Sequence, residues 1–217
     1  MLFNNTPIKM FMKKMFLLAA MLLSCLSASM AQGKWDLKKD ENGIQVYTRK
    51  AAKGNIKELR VVCELDATKA QLINTLQNIS DYNSWVYSNK KSTILKMIDQ
   101  QNIIYYTQSH LPWPIKDRDL VIQLSIQPSG DVLNIQAKSL PDYLPKNNSY
   151  IRVPYSLAQW KVTQTPNNKL DVDYMFSIDP GGSIPSWIVN ATLTIGPFNS
   201  FVKLKEILKS QKMAAIN

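Results

Sequence analysis

The sequence predicts an α+β fold, a large antiparallel sheet curved around one long C-terminal helix. Three observations predict it. Apolar and polar residues alternate with a period of two in segment after segment between Ile44 and Asp179. A stripe with helical spacing occupies the stretch after Pro185. Turn signals at Asn42-Gly43, Asn167-Asn168 and Gly181-Gly182 separate the alternating runs.

Taken in order, Trp35 to Asn42 reads as a short charged opening before the first turn. Ile44–Thr48 alternates and is a strand, and so is the 56–65 run, with Leu59, Val61, Cys63 and Leu65 on one face. Asp66 or Thr68 caps the next helix, Thr68 followed by Gln71 making a capping box, and Leu72, Ile73, Leu76 and Ile79 supply its apolar stripe. Asp81–Trp85 is expected to be a helical turn. Strands then follow over 92–98, 102–110, 119–127, 131–139, 156–165 and 169–179, making six to eight in all. In the last of them Leu170, Val172, Tyr174, Phe176 and Ile178 alternate with Asp171, Asp173, Met175, Ser177 and Asp179, so one face is dry. A helix begins at Pro185 or Ser186 and runs close to Lys209, interrupted at Gly196-Pro197. Its stripe is Trp187, Ile188, Ala191, Ile195, Phe198, Phe201, Val202, Leu204, Ile207 and Leu208. One helix must cover a whole sheet face, and the space between them is the candidate functional volume.

Residues 1–31 are expected to be a signal peptide and 32–217 a single domain. Lys9, Lys13 and Lys14 make a positive start. Met15–Leu26 is apolar apart from Ser24 and Cys25, and Ser29 and Ala31 have the spacing of a cleavage site. At about a dozen residues the run is shorter than the ~20 needed to span a bilayer. The mature protein is then periplasmic or secreted. Leu22-Leu23-Ser24-Cys25 also loosely resembles a lipobox, which leaves a second reading open, anchorage through a lipidated Cys25. Without the leader, Cys63 is the remaining cysteine and no internal disulfide can form. The formal charge of +10 includes three leader lysines, leaving 10 − 3 = +7. The lysines are scattered and the arginines are four, Arg49, Arg60, Arg118 and Arg152, which speaks for a solvated surface rather than a nucleic-acid site. Attraction to anionic lipid head groups is the second reading of that charge.

Several chemistries are excluded. Seven glycines form no phosphate loop, and no G-x-S-x-G elbow is present. A single histidine, His110, rules out His-rich metal sites and weakens any scheme built on imidazole. Asp171, Asp173 and Asp179 share the wet face of a strand, which is not a metal site. No cofactor and no metal is expected.

Two segments resemble the START family, the StAR-related lipid-transfer domains. Pro112-Trp113-Pro114-Ile115-Lys116-Asp117-Arg118-Asp119-Leu120-Val121 is similar to the family's P-W-P-x-x-x-R-D-[FL]-V stretch. Gly181-Gly182-Ser183-Ile184-Pro185-Ser186-Trp187-Ile188-Val189-Asn190 is similar to the G-x-[IL]-P-x-W-[LIV]-V-N run that opens its final helix. The resemblance covers about residues 33–212 and implies a helix-grip fold enclosing one hydrophobic molecule in a tunnel, without catalysis, in an exported bacterial member. It also implies that Trp113, Asp117, Arg118, Asp119, Pro185 and Trp187 are structural. Arg118 is expected to fork onto a carboxylate or loop carbonyls at a strand start, with Pro112 and Pro114 holding Trp113 down. Some sterol-carrying members keep a buried acid–base pair at positions corresponding to Tyr105 and Leu124, and its replacement here argues against a sterol-hydroxyl site.

The candidate tunnel lining is Tyr105, Ile122, Leu124, Ile126, Ile135, Trp160, Val162, Tyr174, Phe176, Asn190 and Leu193. Gly196, Pro197, Phe201 and Leu204 are the candidate lid helix, with 198–209 lifting about Gly196-Pro197 and its lysines meeting a membrane surface. The expected partner is a lipid or other hydrophobic small molecule, with transient contact to anionic membranes, no nucleic acid, and a monomeric state. Two other classes are weighed against this. One is an aromatase/cyclase-type enzyme using Tyr105, Tyr106, Tyr174 and His110; the other is a ligand-free scaffold for a partner protein.

Overall fold

The computed structural model describes residues 33–214 except Lys53 and Pro114. The expected leader, its cleavage site, Cys25 and the stiffening role of Pro114 therefore lie outside the described residues. Ten strands form one sheet: β1 (Asp36–Glu41), β2 (Ile44–Arg49), β3 (Glu58–Leu65), β4 (Asn89–Met97), β5 (Asn102–Ser109), β6 (Arg118–Ser129), β7 (Val132–Ser139), β8 (Ile151–Arg152), β9 (Tyr155–Gln164) and β10 (Leu170–Asp179). Their order is β1-β2-β3-β10-β9-β7-β6-β5-β4, and β8 pairs in parallel with the start of β6. The helices are α1 (Lys69–Gln77), a 3₁₀ turn (Ile79–Asp81) leading into α2 (Tyr82–Trp85), α3 (Ser186–Thr192) and α4 (Ile195–Ala214).

Alternation sets the faces. In β3, Leu59, Val61, Cys63 and Leu65 are buried, and in β10 Leu170, Val172 and Tyr174 are buried while Asp171 and Met175 are exposed. The capping box is present: the Thr68 hydroxyl accepts from the Gln71 N–H and the Gln71 side chain accepts from the Thr68 N–H. Asn42 and Asn168 both take positive φ, near 56°, the left-handed turn conformation that asparagine tolerates.

Three elements differ from the sequence reading, which expected six to eight strands: the two-residue strand β8, parallel to β6, was not anticipated. Trp35 to Asn42 contains an edge strand, β1, antiparallel to β2. Its residues are almost all exposed, so no alternation of burial marks it, and its lysines guard a free edge. The single interrupted helix is two helices. The break falls at Leu193-Thr194, where Pro197's ring would meet the carbonyl of Leu193 if the helix continued. Restarting at Ile195 places Pro197 in the first turn of α4, where its missing N–H leaves no bond unmade.

The core lies between the concave sheet face and α4, from which Phe198, Phe201, Leu204 and Leu208 project inward. α4 is pinned along its length. Lys39 lies over the Phe198 ring at 3.8 Å, Lys205 Nζ donates to the Asn42 carbonyl at 2.9 Å, and Lys212 pairs with Asp66. α3 contributes no buried residue.

Candidate functional site

A cavity of about 300 Å³ lies inside the grip. Register explains why it exists. Ala137 of β7 faces Ala158 of β9, with Leu124 next to Ala137 on β6 and Phe176 next to Ala158 on β10. Two methyl side chains at the centre of a row otherwise built from large residues leave the interior unfilled. Ser139, opposite Ile122, donates no bulk either and accepts a hydrogen bond from the Ser156 N–H at 2.8 Å.

One row deeper, Ile135 faces Trp160 and Trp160 faces Tyr174. Trp160, Tyr174 and Phe201 form a triangle with ring centroids 4.8, 4.9 and 5.2 Å apart, which floors the cavity. One side wall is Tyr82, Trp85 and Tyr105, with Tyr82 edge-on to both at 5.1 and 5.5 Å. Toward the opening the lining turns polar: Asn89, Thr107, Ser109 and Ser156, with Tyr87, Gly196 and Ser200 at the helix side. The Asn89 amide donates to Thr107 Oγ1 at 2.7 Å and to Ser92 Oγ at 2.9 Å. Among the described residues, no Asp, Glu, Lys, Arg or His lines the cavity. Burial drives the phenols of Tyr82, Tyr105 and Tyr174 far above their usual pKa, so all three stay protonated.

Of the candidate lining residues, Tyr105, Ile122, Leu124, Ile135, Trp160, Tyr174 and Phe176 border the cavity, as do Gly196, Pro197 and Phe201. Ile126, Val162 and Leu204 share the inward face but lie below the aromatic floor, packed with no free surface beyond 1%. Leu193 is buried at the break between α3 and α4 rather than at the cavity. Asn190 is a staple: its Oδ1 accepts from the Lys57 N–H at 2.8 Å and its Nδ2 donates to the Asn55 carbonyl at 3.0 Å. Ala137, Ala158, Thr107 and Asn89 were not among the candidates; small side chains inside an alternating strand were the available signal for the alanines.

The Asp117-Arg118-Asp119 run is a clasp with three separate grips. Arg118, 3% exposed, donates to the carbonyls of Lys116, Gly181 at 3.1 Å and Pro180 at 3.4 Å, tying the start of β6 to the end of β10. Asp119, fully buried, holds Arg152 of β8 through two 2.9 Å bonds and accepts from Tyr106 at 3.0 Å. Arg152 also donates to the carbonyls of Pro141 and Leu144, at 2.7 and 3.0 Å, and so fixes that loop. Asp117 accepts from the Leu111 N–H at 3.1 Å and contacts His110 at 3.0 Å. Gly181 and Gly182 take positive φ and pass so close to Pro154 and Ile151 that a Cβ would sit 2.9 Å from either. Pro185 precedes α3 as its N-cap.

Two expectations about the motif tryptophans are corrected. Trp113, expected to be held down, is 91% exposed, and Trp187, expected in the apolar stripe of the last helix, is 71% exposed. Each stands on a loop or helix end that leaves the same end of the sheet, next to the cavity rim at Ser109 and Ile178. His110 is 70% exposed and does not border the cavity, which separates it from the tyrosines proposed to act with it.

The family model of the START domain matches residues 16–213. An uncharacterized protein of Pseudomonas aeruginosa is 28% identical over 193 residues, 88% of this chain and 95% of that one. Human phosphatidylcholine transfer protein is 24% identical over 169 residues, 75% of this chain and 78% of that one. The crystal structure of a STAR-related lipid transfer protein from Xanthomonas axonopodis superposes with a TM-score of 0.75 at 31% identity, covering 81% of this chain and 98% of that one. An aromatase/cyclase from a Streptomyces species shares the fold alone, at a TM-score of 0.51 and 11% identity. With the motif, the sheet order and the cavity beneath the last helix, these matches place the chain in the START family.

Proposed function

We propose that this protein binds one lipid or other hydrophobic molecule in the cavity and carries or sequesters it in the cell envelope, without catalysing a reaction. The observation that carries the reading is an interior cavity walled mostly by apolar and aromatic groups, with no charged side chain among the described residues. Apolar contact alone supplies the binding energy, ~0.8 kcal/mol per buried CH₂. An enzyme on this scaffold would need a group able to take or give a proton near neutral pH, and the cavity's phenols are held protonated by burial.

Loading is proposed to occur at a membrane surface, as a monomer. Trp113 and Trp187 offer amphipathic rings at the open end, and the mature charge of +7 from the leaderless chain favours anionic head groups. The moving part is α3 rather than residues 198–209, since α3 buries nothing while α4 is pinned by Lys39, Lys205 and Lys212.

Leu124→Arg tests the reading. An unpaired guanidinium beside Tyr105 is strongly unfavourable, and native mass spectrometry after purification from the host should show loss of the co-purifying ligand. A folded Leu124→Arg protein that keeps a stoichiometric ligand would show that the ligand resides elsewhere.

A further inference from the structure

The cavity starts where two small side chains follow two large ones, and the rung with the large ones shows what bulk does there. At the closed end the inward residue of β9 is Trp160, in register with Ile135 of β7. Its ring meets Phe201 of α4 with centroids 4.9 Å apart, so at this level sheet and helix touch. Two residues nearer the opening, ~6.6 Å along the strands, the inward pair is Ala137 and Ala158. One helical turn back from Phe201, about 6 Å along α4, is Pro197. Ala137, Ala158 and Pro197 all border the cavity. The gap thus opens where methyl groups replace Ile135 and Trp160 on the sheet and the compact proline ring replaces Phe201 on the helix.

The two walls of this gap are set by backbone. β7 and β9 lie in the middle of the sheet, each paired on both sides. α4 is tied to the opposite edge and to the loop before α1 through Lys39, Lys205 and Lys212. Neither wall is free to retreat from a bulkier side chain, so added volume at the alanines comes out of the gap. Its flanks are large and apolar, Leu124 beside Ala137 and Phe176 beside Ala158. Whatever lies across the alanines is therefore surrounded by hydrocarbon.

We propose that Ala137 and Ala158 determine which molecules this protein can hold. They set the width of the slot in which the apolar part of the cargo lies, and a leucine at either position closes it as Trp160 closes the rung below. This rests on the lipid-binding reading above and assigns its selectivity to two residues.

The test is a fluorescence titration of the purified full chain with N-phenyl-1-naphthylamine, an uncharged apolar probe, beside native mass spectrometry of any ligand that co-purifies. Ala137→Leu and Ala158→Leu should each weaken probe binding about tenfold or more and strip the co-purifying ligand. Ala158→Val should weaken binding by less. Gln136→Leu and Gln159→Leu are the matched controls. These glutamines are register partners on the same two strands, exposed on the outer face, and their replacement should change neither readout. Circular dichroism establishes that each variant is folded, and Ala158→Val decides the matter if a leucine variant is not. Parent-like probe affinity and ligand content in the folded alanine-site variants, or equal losses in the outward pair, overturns the proposal while leaving lipid binding intact. A parent that binds no probe and carries no ligand overturns both.

Discussion

Removing Asp119 should unfold the clasp from its centre. The carboxylate is fully buried and receives three hydrogen bonds, two from Arg152 and one from Tyr106. Asp119→Ala leaves the Arg152 guanidinium, itself 8% exposed, without its counter-charge. Breaking one side of a buried pair costs about 3–5 kcal/mol, because the surviving charge stays desolvated. For a domain of this size each kcal/mol lowers Tm by ~2–4 °C, so a drop of roughly 12 °C is expected. Arg152→Ala should fall as far, since it strands Asp119 and also releases the carbonyls of Pro141 and Leu144. The double variant Asp119→Leu/Arg152→Met should recover most of the loss, as two apolar groups need no partners. Thermal unfolding followed by circular dichroism measures all three. Single-variant losses below about 1 kcal/mol, or losses that simply add in the double variant, would refute the pair as a coupled clasp.

Arg118→Ala should lower Tm without changing the bound ligand, because its partners are carbonyls of the Lys116 and Pro180-Gly181 segments and not cavity groups; ~1–3 kcal/mol is expected, and ligand loss at unchanged Tm would make it a head-group contact. The Leu111 N–H, with His110 and Lys90 beside it, holds the Asp117 carboxyl below its ordinary value. Its stabilisation is therefore complete above pH ~4 and lost as pH falls through the lowered value, and an NMR titration of the Leu111 amide should show a midpoint below ~3.9. Burial pushes the Cys63 thiol up to about 12, so iodoacetamide at pH 8 should label it only as fast as the protein unfolds. Asn190→Ala frees α3 from Asn55 and Lys57, and uptake from anionic vesicles should quicken several-fold; an unchanged rate would place the moving element elsewhere.

What the sequence makes legible here follows from periodicity. Strands with one dry face, such as β3 and β10, announce themselves because every second residue is removed from water. β1 does not, because it sits at an edge with both faces wet. The proline in Gly196-Pro197 marks a helix discontinuity but not its position, since a proline is equally at home in the first turn of a new helix. Large inward residues such as Tyr105, Trp160 and Phe176 were legible as lining, whereas the depth of each along its strand was not. Register across five strands decides that Trp160 borders the cavity and Val162 lies beneath it. Pairing between Asp119 and Arg152 joins positions 33 residues apart through the short parallel strand β8, and no local pattern signals it. Trp113 and Trp187 mislead for the opposite reason. A tryptophan beside proline reads as packed when the chain is considered alone, and this end of the molecule faces outward.

The facing alanines have a consequence for how the protein lives in the cell. At ~24 cal/mol per Å³ of void, 300 Å³ corresponds to about 7 kcal/mol of unrealised packing. Domains of this kind are stable by only about 5–15 kcal/mol in total. On the proposed reading, the ligand-free form is poised near the threshold at which chaperones and proteases select their clients, and a bound ligand would complete the core that the chain leaves unfinished. Under the proposed function, abundance of the protein would then report supply of its ligand: the chain is cleared when ligand is scarce and preserved when it is plentiful.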